Sequence, residues 1–371
     1  MHIETIYLVG TTPGTQHQLC IHHFGTPGRG PKATIQAALH ADEVPAILVA
    51  HALCERLLVL EAAGELIGEV QLLPMANPLG LAQEVNGQHQ GRFDLRDGIN
   101  FNRGYADLTD TVAAAVQGRL GPNAAANVQA IRAALRDAAA ALPASNAAQD
   151  LKRRLLQTAI DSDIVLDLHC DGEAVLHLYA MTAQQSLATE LGTLLGARAI
   201  LLAEESGDSP FDEACSRPWL LLQRRFAGHP IPPACFSTTV ELRGEADASH
   251  ELAGLDADAI VEFLRRRGIV AGVPAALPAA CCEATPLSCS EPITSPAGRV
   301  VVFRVQAGQL VQAGDVIADL VCPETGVVES LRATSAGVVY ARIATRWAAA
   351  GKHLAKIAGK THPRSGKLLS P

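Results

Sequence analysis

His40 and Glu43 form a His-x-x-Glu pair just after an apolar run, ATIQAAL at 33–39. A second apolar run, DIVLDL at 163–168, is followed at once by His169. Two imidazoles and a carboxylate are ligands a catalytic zinc uses, with one position left open for water. Sites in open α/β sheets lie outside the carboxyl ends of strands, so two strands that each close on a histidine can bring such ligands together. A second reading of the pair stays open: Asp42 and Glu43 also suit the positive end of the helix that follows. Cys170 adjoins His169, but neighbours on a strand point apart, so it reads as a buried thiol.

Periodicity supplies the elements that must position these residues. A strand at 33–39 is followed by a loop at 40–44, and Pro45 suits the first turn of a helix. Ile47, Leu48, Ala50, Leu53, Cys54, Leu57 and Leu58 recur there at helical spacing. A second strand is expected at 69–75. Residues 77–105 are rich in Asn, Gly and Gln, and a loop that long inside a compact domain is usually functional. Residues 109–160 read as Ala-rich helix, broken near Gly121-Pro122 and Pro143. Further strands are expected at 174–179, 198–202 and 235–242, and helices at 184–195, 211–227 and 249–267. This alternation predicts an α/β fold, a mixed sheet flanked by helices on both faces.

The texture changes near residue 271, where AGVPAALPAACCEATPL reads as a linker. Beyond it the chain is strand-like and internally duplicated. QAGDVIADL at 312–320 resembles AAGKHLAKI at 349–357, and the segment from Ser295 resembles the one from Thr334. A small C-terminal all-β domain, a sandwich or barrel of pseudo-twofold character, is expected. The reading divides the chain into a catalytic domain at 1–280, a β domain at 281–360 and a frayed basic tail at 361–371.

Composition narrows the class. A chain of 371 residues corresponds to about two domains. Thirty basic against thirty-eight acidic residues leave −8, and only 4% are aromatic, which argues against a nucleic-acid partner. The segment 44–60 is interrupted by His51, Glu55 and Arg56, so no membrane span is expected. The N-terminus lacks the pattern of a secretory signal. Nine cysteines without framework spacing suggest reduced thiols and a cytoplasmic protein, with Cys281, Cys282 and Cys289 structural.

Five segments then carry a resemblance: LHADE at 39–43, NPLGLAQ at 77–83, GRFDLRDGINFNR at 91–103, DLH at 167–169 and VELRG at 240–244. Their types and order resemble the succinylglutamate desuccinylase/aspartoacylase family of the zinc carboxypeptidase clan. The C-terminal region resembles the small β domain of many members, of biotinyl/lipoyl type. It has no lysine from Cys322 to Ala333, so a carrier role is not expected; capping the site or making subunit contacts is.

The resemblance implies one zinc per chain, held by His40, Glu43 and His169, with Glu241 as general base. It implies that Asn102 and Arg103 hold a substrate carboxylate and that Arg92 stabilises the oxyanion, with Arg96 as competitor for that role. Many members carry Asp-Leu-Asn-Arg where this chain has Asn100-Phe101-Asn102-Arg103. The expected function is zinc-dependent hydrolysis of a small N-acyl compound such as an N-acyl amino acid, a deacylase acting on a linear amide. A zinc carboxypeptidase acting on peptides is the nearest alternative, and a non-catalytic binding protein is the alternative of another class. Asp171 and Glu173 beside the site point to a neutral or cationic side group on the substrate. A homo-oligomer is compatible with the sequence.

Overall fold

The computed structural model describes residues 1–10, 12–361 and 363–369. In chain order the first body contains β1 His2–Tyr7, β2 Gln18–Gly25, β3 Lys32–Ala37, β4 Glu69–Leu73, the short β5 Glu84–Val85 and β6 Gln88–His89, β7 Ile164–Asp171, β8 Glu173–Ala174, β9 His177–Met181, β10 Ala199–Ala203, β11 Phe236–Gly244 and β12 Ala284–Pro286. Its helices are α1 Val44–Ala62, α2 Pro78–Leu81, α3 Thr109–Val116, α4 Ala124–Ala140, α5 Ala147–Ala159, α6 Gln185–Leu195, α7 Phe211–Arg225 and α8 His250–Arg266. Nine strands make one mixed sheet in the order β1-β2-β4-β3-β7-β11-β9-β10-β12.

β7 lies at the centre, and side-chain alternation divides it between two cores. Ile164, Leu166 and Leu168 pack with Val49, Leu53 and Leu57 of α1 and Ile260 and Leu264 of α8. Val165 faces the other way, onto the core shared by Val112, Ile131, Leu155 and Trp219 of α3, α4, α5 and α7. Asp167, His169 and Asp171 follow Val165 at the same two-residue period. β7 pairs in parallel with both β3 and β11, setting Gln36 beside Asp167 and His169 beside Glu241. A row of polar groups thus runs along one face of an otherwise apolar sheet.

The mixed α/β architecture follows the sequence reading, with local differences. β7 runs through His169 to Asp171, because β11 keeps pairing with it as far as Gly244. The Ala-rich stretch separates into α3, α4 and α5, and Asn123 and Asn146 cap the last two. The antiparallel pair β1–β2 had no expectation behind it; β1 is almost wholly exposed and shows no apolar period. No helix among the described residues is long and apolar enough to cross a membrane.

The C-terminal β domain contains β13 Ser290–Thr294, β14 Arg299–Phe303, β15 Leu310–Val311, β16 Val316–Val321, β17 Val328–Arg332, β18 Gly337–Arg342, β19 Trp347–Ala348 and β20 His353–Ala358. Two sheets form, β13-β20-β18-β15 and β17-β16-β14-β19. The duplicated halves exchange strands: β15 of the first pairs with β18 of the second, and β19 of the second with β14 of the first. Gly314 and Gly351 occupy matching turns, both with positive φ. Charge differs between the copies, since Asp315 and Asp319 of the first correspond to Lys352 and Lys356 of the second. Asp315 accepts from Gln312 N (2.8 Å) and Asp319 from Ser330 Oγ (2.6 Å), inside their own domain.

The second copy docks on the first body. β8 adds to the edge of β18, and Lys356 Nζ lies 2.6 Å from Asp171 Oδ2. Glu173 pairs with Arg342 and Arg346. Burial opposes charge on Asp171, but Lys356 outweighs it and draws the carboxyl from its ordinary 3.8 down to about 2. A depressed folded-state value gives stability that is present above the ordinary value and lost as pH falls towards about 2. Lys356→Ala is expected to lower unfolding free energy by about 1–3 kcal/mol near neutral pH, between a surface pair and a fully buried one. Urea melts of both proteins at neutral and acid pH check this: the difference must shrink on acidification.

The tail differs from the frayed end expected of it. Arg364 N donates to Ser288 O (2.8 Å) and Leu368 N to Ser206 O (2.9 Å), and Leu368 and Leu369 pack into the apolar seam between the two bodies. Residues 362, 370 and 371 of that expectation lie outside the described residues.

Candidate active site

The chain leaves β3 through Ala38, whose φ of 61° is left-handed, and turns sharply into His40–Glu43 before α1 begins. Non-glycine residues hold that conformation only where their surroundings enforce it. Here the long loop does so. Ala41 N donates to Gly91 O (3.1 Å), and Asn77 Nδ2 donates to Leu39 O (2.8 Å). A Cβ on Gly91 would stand 2.1 Å from Asp42 N, so only glycine allows this approach.

His40, Glu43 and His169 converge, all buried, with one ligand atom from each within 4.8 Å of the others. His40 Nδ1 is 2.8 Å from Glu43 Oε1, and His169 Nδ1 is 2.7 Å from Glu43 Oε2. The outer ring nitrogens are anchored. The backbone N–H of Asn102 donates to Asn100 Oδ1 (2.8 Å), which fixes that amide's orientation, so His40 Nε2 must donate to the same oxygen at 2.8 Å. Its proton therefore sits on Nε2 and its Nδ1 lone pair faces Glu43. His169 Nε2 lies 2.9 Å from Asp167 Oδ2, while Gln36 Nε2 holds Asp167 Oδ1 at 2.9 Å. Outer partners of this kind fix the tautomer and aim of metal-binding histidines. Two Nδ1 donors and a carboxylate with anchored outer nitrogens fit a divalent cation such as zinc.

Glu241 sits next to His169 on β11, and its Oε2 is buried with no hydrogen-bond partner among the described residues. Burial first, then the nearby Glu43 charge, push its carboxyl up to about 8. A cation held by the three ligands would oppose that shift. Arg92 Nη1 reaches Glu43 Oε1 at 3.4 Å and His40 Nδ1 at 3.2 Å. Arg96 instead clasps Asp94, with Nε 2.9 Å from Oδ1, and takes no part in the cavity wall.

Asn102 and Arg103 also line the cavity. The Asn102 amide oxygen is engaged by the protein itself: Oδ1 accepts from Phe211 N at 2.9 Å. Arg103 Nη1 donates to Asn102 O at 2.8 Å, and the charge of Asp212, at the start of α7, acts on its guanidinium. Burial, with Glu213 and Asp167 nearby, pushes the Asp212 carboxyl up to about 7.

These residues surround a cavity of about 590 Å³ between the two bodies. Ile343, Thr345, Lys352 and Lys356 of the C-terminal domain form part of its wall. The inference of a neutral or cationic substrate from Asp171 and Glu173 loses its basis, because the second domain neutralises both acids. Sequence reasoning missed Asp167, although two-residue alternation places it on His169's face. Lys356 and Leu369 at the cavity carried no signal of their own, and Asn100, noted only as a departure from the family's aspartate, anchors His40.

Residues 29–218 match the family model for the succinylglutamate desuccinylase/aspartoacylase catalytic domain. A solved family protein from Shewanella amazonensis is 26% identical, with a TM-score of 0.86 over 96% of this chain and 98% of that one. Another from Shewanella frigidimarina is 23% identical, with a TM-score of 0.85 over 98% of each chain. The ectoine utilization protein EutE (DoeB) from Ruegeria pomeroyi is 17% identical, with a TM-score of 0.69 over 97% of this chain and 95% of that one. The last two likenesses concern the fold alone. No curated protein matches. The model's match to half of the sequence, ending beyond His169, means that the chain belongs to the succinylglutamate desuccinylase/aspartoacylase family.

Proposed function

We propose that this chain is a zinc-dependent deacylase that hydrolyses the amide bond of an N-acyl amino acid or similar small N-acyl compound. The observation that carries the reading is the Glu241 carboxyl, one oxygen of which is buried and unpartnered among the described residues, on the same cavity wall as His40 and His169 of the His40–Glu43–His169 cluster. An oxygen left without a protein partner costs about 1–3 kcal/mol, and a general base needs one free to take a proton.

His40, Glu43 and His169 would hold the zinc. When bound, such a cation lowers the pKa of water and polarises a carbonyl. Glu241 takes the proton of the attacking water and returns it to the leaving amine. Arg92 offers its guanidinium to the oxygen on which charge develops. Arg103 meets a substrate carboxylate with its planar fork, on the backbone that Asn102 pins to α7. The cavity volume falls in the range of small-molecule sites, and residues of the C-terminal domain form part of its wall. A site of that size favours the deacylase over a carboxypeptidase.

The test is a metal analysis with a screen of N-acyl amino acids against short peptides, with and without chelator. Stoichiometric zinc is expected, with hydrolysis of N-acyl amino acids that is lost on chelation and restored by zinc. Hydrolysis of peptides alone would favour the carboxypeptidase. Neither zinc nor hydrolysis would leave a binding protein.

A further inference from the structure

The cavity has two textures. Arg92, Arg103 and Glu241 mark its polar part. Leu201, Ala203, Leu287 and Leu369 also line it, and all four belong to one apolar cluster with Tyr179 and Tyr340 at the seam between the bodies. Three of the four come from β10 and the turn after β12. Leu369 comes from the tail, far away in the chain.

The tail is tied down at several points. Arg364 N donates to Ser288 O, and the Arg364 side chain donates to Ser290 O (2.8 Å) and Leu368 O (3.2 Å). Lys367 Nζ lies 2.7 Å from Asp208 Oδ1, and Leu368 N donates to Ser206 O. The 206–209 segment is clamped in turn to the backbone beside Arg103, by Gly104 N to Asp208 O (2.8 Å) and Tyr105 N to Ser209 O (3.0 Å). The tail therefore reaches the site through a continuous chain of bonds.

We propose that residues 364–369 are a specificity wall, in which Leu369 closes an apolar corner that receives an aliphatic group of the substrate. The proposal rests on the deacylase reading for its substrates, but not for its geometry. An apolar pocket discriminates by about 10–200-fold per methylene, so moving this wall changes the preferred length of that group. The group sits either on the amino acid or on the acyl half, and two substrate series separate these sources. One is N-acetyl-alanine, N-acetyl-norvaline and N-acetyl-norleucine. The other is alanine carrying acetyl, butyryl and hexanoyl groups.

Leu369→Ala is expected to raise kcat/KM for the longest member relative to the shortest by at least about tenfold, in one series only. Leu369→Trp is expected to shift the ratio the other way. Arg364→Ala, which unties the tail without touching the corner, is expected to act like Leu369→Ala. The same compounds are also tested for thermal stabilisation of the zinc-loaded proteins, which needs no turnover. Ratios and stabilisation unchanged in all three variants, at unchanged melting temperature, would overturn the wall. If no compound is hydrolysed but the stabilisation ranking shifts with Leu369, the wall stands and the deacylase reading falls. If hydrolysis proceeds with no shift in either readout, the wall alone falls.

Discussion

Glu241→Gln is expected to lower kcat by about 10²–10⁴-fold while zinc content stays at the wild-type level. Glutamine keeps the size of the side chain and its place beside His169, so the change isolates the loss of a proton acceptor. The argument starts from strand alternation. Phe236, Val240 and Leu242 enter the core under α1 and α8, and Glu241 is turned to the opposite face. There it meets Glu43 and His169 in a buried space, with one oxygen unpartnered. Metal analysis and steady-state kinetics check the outcome together. Near-normal turnover by a zinc-replete Glu241→Gln protein would remove Glu241 from the chemistry; lost zinc would make it a ligand instead.

The second large effect separates Arg92, preferred for the oxyanion role, from its competitor Arg96. Arg92→Ala is expected to cost at least about 100-fold in kcat, as for removal of one oxyanion donor. Arg96→Ala is expected to leave activity little changed, because its guanidinium is tied to Asp94 away from the cavity. The opposite ranking would overturn the role given to Arg92. Arg92→Lys is expected to recover part of the loss, since it keeps the charge without the planar fork.

The residues legible in the sequence were those whose surroundings are local. His40 with Glu43, and His169 after a buried strand, could be found because metal ligands need particular types at strand ends. α1, α6, α7 and α8 were visible through apolar periodicity, and β3, β7 and β11 through buried runs. β1 was not visible, because an exposed edge strand needs no apolar alternation. Lys356 and Leu369 were hidden for another reason. Each reaches the site only through the docking of chain segments more than a hundred residues apart, and no local pattern encodes that. The Asp171 and Glu173 inference failed for the same reason: it counted acids near His169 without the arginines and lysine brought to them by the second domain.

The half-motif repeated in the C-terminal domain divides labour between its copies. The outer copy keeps its aspartates at home, bracing its own turn and hairpin. The inner copy, carrying Lys352 and Lys356 in their place, supplies the junction with the catalytic body and part of the cavity wall. Redundancy of this kind lets the polar positions of the inner half depart from those of its twin while the apolar core that both halves share stays fixed. Grafting residues 343–356 from one homologue to another is accordingly a compact route to altered selectivity, with the hydrolytic apparatus left in place.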